Sequence, residues 1–125
     1  MKKIIILDCG PSLEYVSQEF GQSPEWIMVV LKDTGFRFKW VKSYKGQTIE
    51  YNEGDAWIIT GSPKSVYNEA KWMLCLEENI RGAAACKKPV LGICFGHQLI
   101  AKSFGGRVEV NPNGWELGSY SISLT

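Results

Sequence analysis

A parallel β-sheet with helices on both faces is the fold class this sequence predicts, and three observations carry it. Short aliphatic runs recur at residues 3–8, 56–60 and 89–93. Each is continuous rather than alternating, as expected of strands covered on both sides. Longer segments with helical spacing of apolar residues lie between them, and a strand–helix alternation of this kind implies parallel strands joined by helical crossovers.

The elements follow in order. Lys3–Asp8 is the first strand, broken by Gly10-Pro11-Ser12. Ser23-Pro24-Glu25 reads as a helix start, with Ser as N-cap, Pro in the first turn and an acid at the positive end. Ile27, Val30 and Leu31 continue that helix at the right spacing, and Gly35 closes it. Residues 36–41 alternate aromatic and basic side chains, which fits a more exposed strand. The buried run at 56–60 ends at Gly61-Ser62-Pro63, and 68–85 reads as a long helix with Trp72, Leu76 and Ile80 on one stripe. The run at 89–93 feeds a helix over 95–104 that stops at Gly105-Gly106. The tail, 107–125, reads as two β segments around Asn111-Pro112-Asn113-Gly114. In such sheets the chemistry gathers at the carboxyl ends of the strands, which singles out the loops after Thr60 and at Cys94.

A chain of 125 residues is one domain at most, long enough to bury roughly two thirds of its unfolded surface. A net charge of +1 gives no field that would draw it to nucleic acid or an anionic membrane. The adjacent Lys87 and Lys88 read as a solvated turn. The cysteines, Cys9, Cys75, Cys86 and Cys94, show no C-x-x-C spacing, and a single histidine argues against a metal site. Cys9 and Cys75 lie in apolar stretches and read as small buried hydrophobes. Free thiols suit a reducing compartment, so a cytoplasmic location is expected. The apolar run near the N-terminus is too short for a signal core and is interrupted by Asp8; no stretch approaches the ~20 apolar residues of a membrane span. With neither a P-loop nor a G-x-G-x-x-G after the first strand, no cofactor is expected.

The chemistry concentrates in Gly92-Ile93-Cys94-Phe95-Gly96-His97-Gln98, which follows an aliphatic strand and opens a helix. That is the setting of a G-x-nucleophile-x-G turn. A strand turning sharply into a helix strains the backbone at the nucleophile, and Gly92 and Gly96 remove side chains that would collide. The helix N-terminus supplies a positive field that favours a thiolate, and it offers the Phe95 N–H to a developing oxyanion. A bare G-x-C-x-G also suits a buried structural cysteine; the polar His97 and Gln98 in the first helical turn argue for the functional reading.

The same seven residues resemble the nucleophile motif of class I, triad-type glutamine amidotransferases, with a preference for the GMP-synthase-like branch. Three further stretches agree: Ile58-Ile59-Thr60-Gly61-Ser62-Pro63 resembles the family's oxyanion loop, Phe104-Gly105-Gly106 the end of its elbow helix, and Asn113-Gly114-Trp115-Glu116-Leu117-Gly118 the segment beyond. The resemblance implies a flavodoxin-like sheet and a set of roles. Cys94 would attack the side-chain carboxamide of glutamine, releasing ammonia to a synthetase partner and leaving a γ-glutamyl thioester for water to hydrolyse. The N–H groups of Gly61 and Phe95 would form the oxyanion hole, Gln98 would help hold substrate, and Glu116 would be structural. Trp115 stands where many relatives have Arg.

One departure matters. In the family the base is a histidine far downstream, followed two residues later by a glutamate, and no histidine follows position 97 here. His97 is a tempting substitute, but one helical turn from Cys94 it should point away from the thiol and into the helix packing. Residues 1–125 are therefore expected to be a partial amidotransferase domain, truncated at the C-terminus and lacking the His/Glu segment, with very poor turnover of its own. A non-catalytic paralogue that binds a partner or glutamine is the alternative, and a related Cys-elbow hydrolase or chaperone-like protein is a third. A sheet left uncovered after residue 119 would expose an edge and invite a homodimer. Light scattering at high concentration is then expected to return a species larger than the monomer, and a monomer would count against the edge-mediated dimer.

Overall fold

The computed structural model of the chain describes residues 2–114, 118–119 and 121–123. Its centre is a four-stranded, wholly parallel sheet in the order β2-β1-β3-β4, made of β1 (Lys3–Asp8), β2 (Arg37–Lys42), β3 (Ala56–Ile59) and β4 (Val90–Gly92). The helices are α1 (Glu14–Phe20), α2 (Ser23–Val30), α3 (Lys71–Ala85) and α4 (Phe95–Ser103). Three single-turn 3-10 segments, at Lys32–Thr34, Ser43–Lys45 and Val66–Asn68, connect them.

The central strand explains the arrangement. In β1 successive side chains point to opposite faces, and all are aliphatic between Ile4 and Leu7. Ile5 and Leu7 join Val41, Trp57 and Ile59 on one face, where Met73, Leu76 and Ile80 of α3 and Phe95 and Leu99 of α4 cover them. Ile4, Ile6 and Ile58 face the other way and meet Ile27, Met28, Leu31 and Phe38. A fully buried side chain of this size contributes roughly 1.5–3 kcal/mol, so each face of β1 must be covered for the strand to form. β2 is an outer strand, and its alternating exposure matches its alternating aromatic and basic residues. Among the described residues no helix is long and apolar enough to cross a membrane.

Several expected boundaries shift for physical reasons. The N-cap of α2 is Gln22 rather than Ser23: the Glu25 carboxylate reaches back to accept from the Gln22 N–H, the Glu25 N–H donates to the Gln22 carbonyl, and the Gln22 side chain is taken up by the Ser12 N–H. The helix expected from residue 68 begins at Lys71, because 66–68 close a tighter turn capped by Ser65. Its buried stripe is Met73, Leu76, Ile80 and Ala83, with Trp72 only partly covered at its edge. Cys75 is half-buried, one position off that stripe, and is not the core residue expected. α1 has no counterpart in the sequence reading; it buries no residue fully and so lacks the apolar stripe that would announce it. The two tail strands are not formed among the described residues: 107–110 carry no strand pairing, and Asn111 to Gly114 close a turn through a 3.0 Å Gly114 N–H to Asn111 carbonyl bond. With no neighbouring strand beside them, backbone groups in that stretch have no ladder to join. Residues 115–117, 120 and 124–125 lie outside the described residues, including Trp115 and Glu116 of the resemblance.

β4 differs from the other aliphatic runs. It is an outer strand, and Leu91, in register beside the buried Ile58, is 58% exposed because α2 does not reach across it. Ile93 and Phe104 are also exposed.

At the carboxyl end of β1, Asp8 is fully buried and anchored twice: Oδ1 accepts from the Gly10 N–H at 3.0 Å and Oδ2 from the Trp40 indole N–H at 2.9 Å. Next to it, Cys9 is completely inaccessible. Burial, and then the Asp8 carboxylate, push the Cys9 thiol from its ordinary 9.0 up to about 12, against the opposing effect of its hydrogen bonds with Thr60. A raised folded-state value means that the stability it contributes is complete below the unfolded value and is lost as pH climbs toward the folded one. The chain is therefore expected to lose stability between about pH 9 and about pH 11 more steeply than a Cys9→Ala variant, as read from denaturant midpoints. Parallel curves for the two proteins would contradict it.

Candidate active site

The loops after β1, β3 and β4 end side by side at one edge of the sheet, and the close approach of α4 to β3 sets their spacing. A Cβ built on Gly96 would sit 2.8 Å from the Ile59 carbonyl carbon and nearer still to its oxygen. One on Gly92 would lie 2.6 Å from the Gly96 carbonyl carbon and from the His97 nitrogen. Both glycines are thus required by backbone packed against backbone, which cannot yield as a flexible side chain can.

The turn between them places Cys94 at φ 53° and ψ −109°, left-handed backbone that a residue with a Cβ rarely adopts. Strain of this kind costs about 1–3 kcal/mol and persists only where surrounding structure imposes it. Here the Ile93 N–H to Ile59 carbonyl bond at 2.9 Å holds the strand side, and the Gly96 N–H to Ile93 and Gln98 N–H to Cys94 carbonyl bonds, at 2.9 and 3.1 Å, hold the helix side. Cys94 is the N-cap of α4 and is solvent-exposed.

Gly61 comes up against it from the β3 loop. A Cβ on Gly61 would meet the Cys94 Cβ at 3.6 Å, ordinary contact distance. Thr60, buried beneath, fixes this loop: its N–H donates to the Leu7 carbonyl, its Oγ1 accepts from the Cys9 N–H at 3.0 Å, and its hydroxyl donates to the Gly61 carbonyl at 2.9 Å. Among the described residues neither the Gly61 N–H nor the Phe95 N–H has a hydrogen-bond acceptor. The Phe95 side chain is buried and packs on Trp72, ring centroids 5.9 Å apart, so α4's first residue is pinned from below.

Of the residues singled out in the sequence, Cys94, Gly61 and Phe95 are brought together. Gln98 is exposed on the next turn of α4. His97 is exposed as well, contrary to the expectation that it packs into the helix interface: Phe95, Gly96 and Leu99 take the inward positions, leaving 97 and 98 outward. Sequence reasoning missed Asp8 and the β1 loop. Asp8 orients Gly10, and Gly10 packs on the β3 loop so tightly that a Cβ there would lie 2.8 Å from Pro63 Cδ and 3.0 Å from Ser62 Oγ. A carboxylate ending an otherwise aliphatic strand was the available signal. Among the described residues no group of three His, Cys, Asp or Glu side chains could hold a metal ion.

Comparison with known proteins agrees with this architecture. The family model for glutamine amidotransferase class-I matches residues 16–121. Gamma-glutamyl peptidase 4 of Arabidopsis thaliana is 30% identical over 98% of this chain and 50% of its own length. The glutamine-hydrolyzing GMP synthase of Chlorobaculum tepidum is 46% identical over 52% of this chain and 12% of its own. The crystal structure of a glutamine amido transferase from Methylobacillus flagellatus superposes with a TM-score of 0.73 at 25% identity, over 90% of this chain and 42% of that one. The chain belongs to the class-I glutamine amidotransferase family, and its sheet is the flavodoxin-like fold of that family. It spans about half the length of the peptidase and of the solved relative.

Gly96→Ala is expected to destabilise the chain by about 1–3 kcal/mol or more, since α4 must lift from Ile59 to admit a methyl group. Urea denaturation measures this, and an unchanged midpoint would mean that the helix is not seated on β3 as described.

Proposed function

We propose that this chain carries the nucleophile side of a glutamine-hydrolysing site. Cys94 attacks the γ-carboxamide carbon of glutamine, ammonia departs toward a synthetase partner, and water cleaves the resulting γ-glutamyl thioester to glutamate. The observation that carries this reading is the pair of unengaged N–H groups, on Gly61 and Phe95, flanking an exposed Cys94 whose backbone is held in a strained turn. Two preorganised donors beside a nucleophile are what a tetrahedral oxyanion needs, and such donors commonly contribute a hundredfold or more to rate. The helix N-terminus under the sulfur adds a favourable field for negative charge. Gln98, exposed on α4, is assigned to hold the substrate.

No histidine base stands in the turn that holds Cys94. The chain has one histidine, and it is exposed on the helix flank. Without a base to carry the thiol proton to the leaving nitrogen, turnover by this chain alone is very poor while a single covalent event remains possible. The likeness to a GMP synthase over about half the chain supports a synthetase as the acceptor of ammonia. The likeness to gamma-glutamyl peptidase 4 over nearly the whole chain supports a second reading, hydrolysis of a γ-glutamyl bond with no acceptor.

A diazo-ketone analogue of glutamine tests the common chemistry. Intact mass is expected to show one adduct, suppressed by glutamine and absent in Cys94→Ala. Cys9 is inaccessible and should not react; Cys86 is exposed, so an adduct there that glutamine fails to suppress would be non-specific. No adduct at Cys94, with the chain folded, would overturn the enzyme reading in favour of a non-catalytic member.

A further inference from the structure

The strand order reverses direction between β1 and β3: from β1 the chain passes outward to β2, then crosses back to β3 and continues to β4. In open α/β sheets a crevice forms outside the carboxyl ends of the two strands at such a point, and ligands bind there. A cleft of 390 Å³ occupies that position. Pro11, Leu13 and Val16 wall it on the β1 side, Trp26 comes from α2, and Pro63 closes the β3 side. Leu13 and Trp26 are 56% and 40% exposed, so the cleft is open to solvent. Its volume lies within the range of roughly 300–1,000 Å³ typical of small-molecule sites.

What ties this cleft to the chemistry is Gly61. It lines the cleft, and a Cβ built on it would lie 3.6 Å from the Cys94 Cβ. A carbonyl carbon held at the sulfur, with its oxygen toward the Gly61 N–H, therefore lies one residue away from an apolar space. The amide nitrogen of glutamine bears only hydrogens and leaves as ammonia, which has nothing to place against proline, leucine and tryptophan.

We infer that the cleft receives an apolar group borne on the amide nitrogen, so that the substrates of this site are γ-glutamyl amides of apolar amines or amino acids. The inference rests on the second of the two readings above, hydrolysis of a γ-glutamyl bond by the thioester chemistry of Cys94, and replaces ammonia with an amine as the leaving group. The Cys94 sulfur bonds to the γ-carbonyl carbon, the carbon–nitrogen bond breaks, and the thiol proton ends on the departing nitrogen, giving a free amine. Water then cleaves the carbon–sulfur bond, forming glutamate and returning a proton to the sulfur. The apolar side chain of the amine remains in the cleft until it departs.

The test compares protection of Cys94 from the diazo-ketone by glutamine and by γ-glutamyl-phenethylamide, read as initial labelling rates by intact mass. The amide is expected to give half-protection at a concentration at least about tenfold lower than glutamine, since its phenethyl group leaves water for an apolar wall. Leu13→Ser and Trp26→Ala are each expected to cut that advantage to less than about threefold. Leu13 is largely exposed, so its substitution leaves the core untouched and reports the cleft even if Trp26→Ala weakens the fold. Equal protection by the two compounds, or an advantage that the Leu13→Ser chain keeps, overturns the inference and leaves the thioester chemistry standing. A Cys94 that fails to react at all overturns both.

Discussion

The contact on which the rest of the site depends is backbone against backbone: Gly96 of α4 on the carbonyl of Ile59 in β3. Neither partner can move aside, because Ile59 is locked in the ladder between β1 and β4 and Gly96 is the second residue of a helix whose other inward side chains are fully buried. Seating the helix this closely leaves no room for a gradual turn after β4. The chain must reverse within one residue, and Cys94 takes the left-handed conformation that results. Strain at Cys94 is therefore a consequence of helix–strand packing, sustained by a core whose many apolar contacts outweigh a cost of about 1–3 kcal/mol.

That single turn has three chemical effects. It projects the sulfur into solvent at the strand's carboxyl end. It sets the unpaired N–H groups of α4's first turn around it, where the helix dipole points its positive end. It also brings the sulfur alongside Gly61, whose own loop is held by the buried Thr60 hydroxyl. The buried Asp8 extends this order one strand further by fixing Gly10 against Pro63. The loops after β1 and β3 are thus braced by Thr60 and Asp8, two of the few buried polar residues, and both have their hydrogen bonds made. Glu77 is the exception: one of its carboxylate oxygens is buried without a hydrogen bond, and Lys102 at 3.7 Å supplies only charge.

The molecule is uneven in its covering. On the face of α3 and α4 the sheet is sealed by large side chains from Leu7 to Leu99. On the opposite face α2 reaches β1 and β3 but leaves Leu91 of β4 open. Exposed apolar side chains stand at β4, on Leu91 and Ile93, and also along α1 and α2, on Tyr15, Phe20, Val29 and Val30, and Gly61 lines the switch-point cleft. Cys94 follows β4 directly, and Gly61 beside it lines the cleft.

The sequence alone determined the parallel α/β class, four strands in their places, three of four helices and the Gly-flanked cysteine. These signals are local: an aliphatic run covered on both faces and a glycine forced by close approach are written within a few consecutive residues. It could not announce α1, which buries no residue fully and so has no stripe to read. It placed strands after residue 107 from alternation alone, though a strand exists only where another backbone pairs with it, and among the described residues none does. It set His97 inward, whereas the phase of α4 is fixed by Phe95, Gly96 and Leu99 packing on the sheet. The cleft between the β1 and β3 loops and the contact of Gly61 with Cys94 join positions more than thirty residues apart along the chain. Only tertiary structure decides such neighbours, because strand order is a property of the whole sheet and of no segment within it.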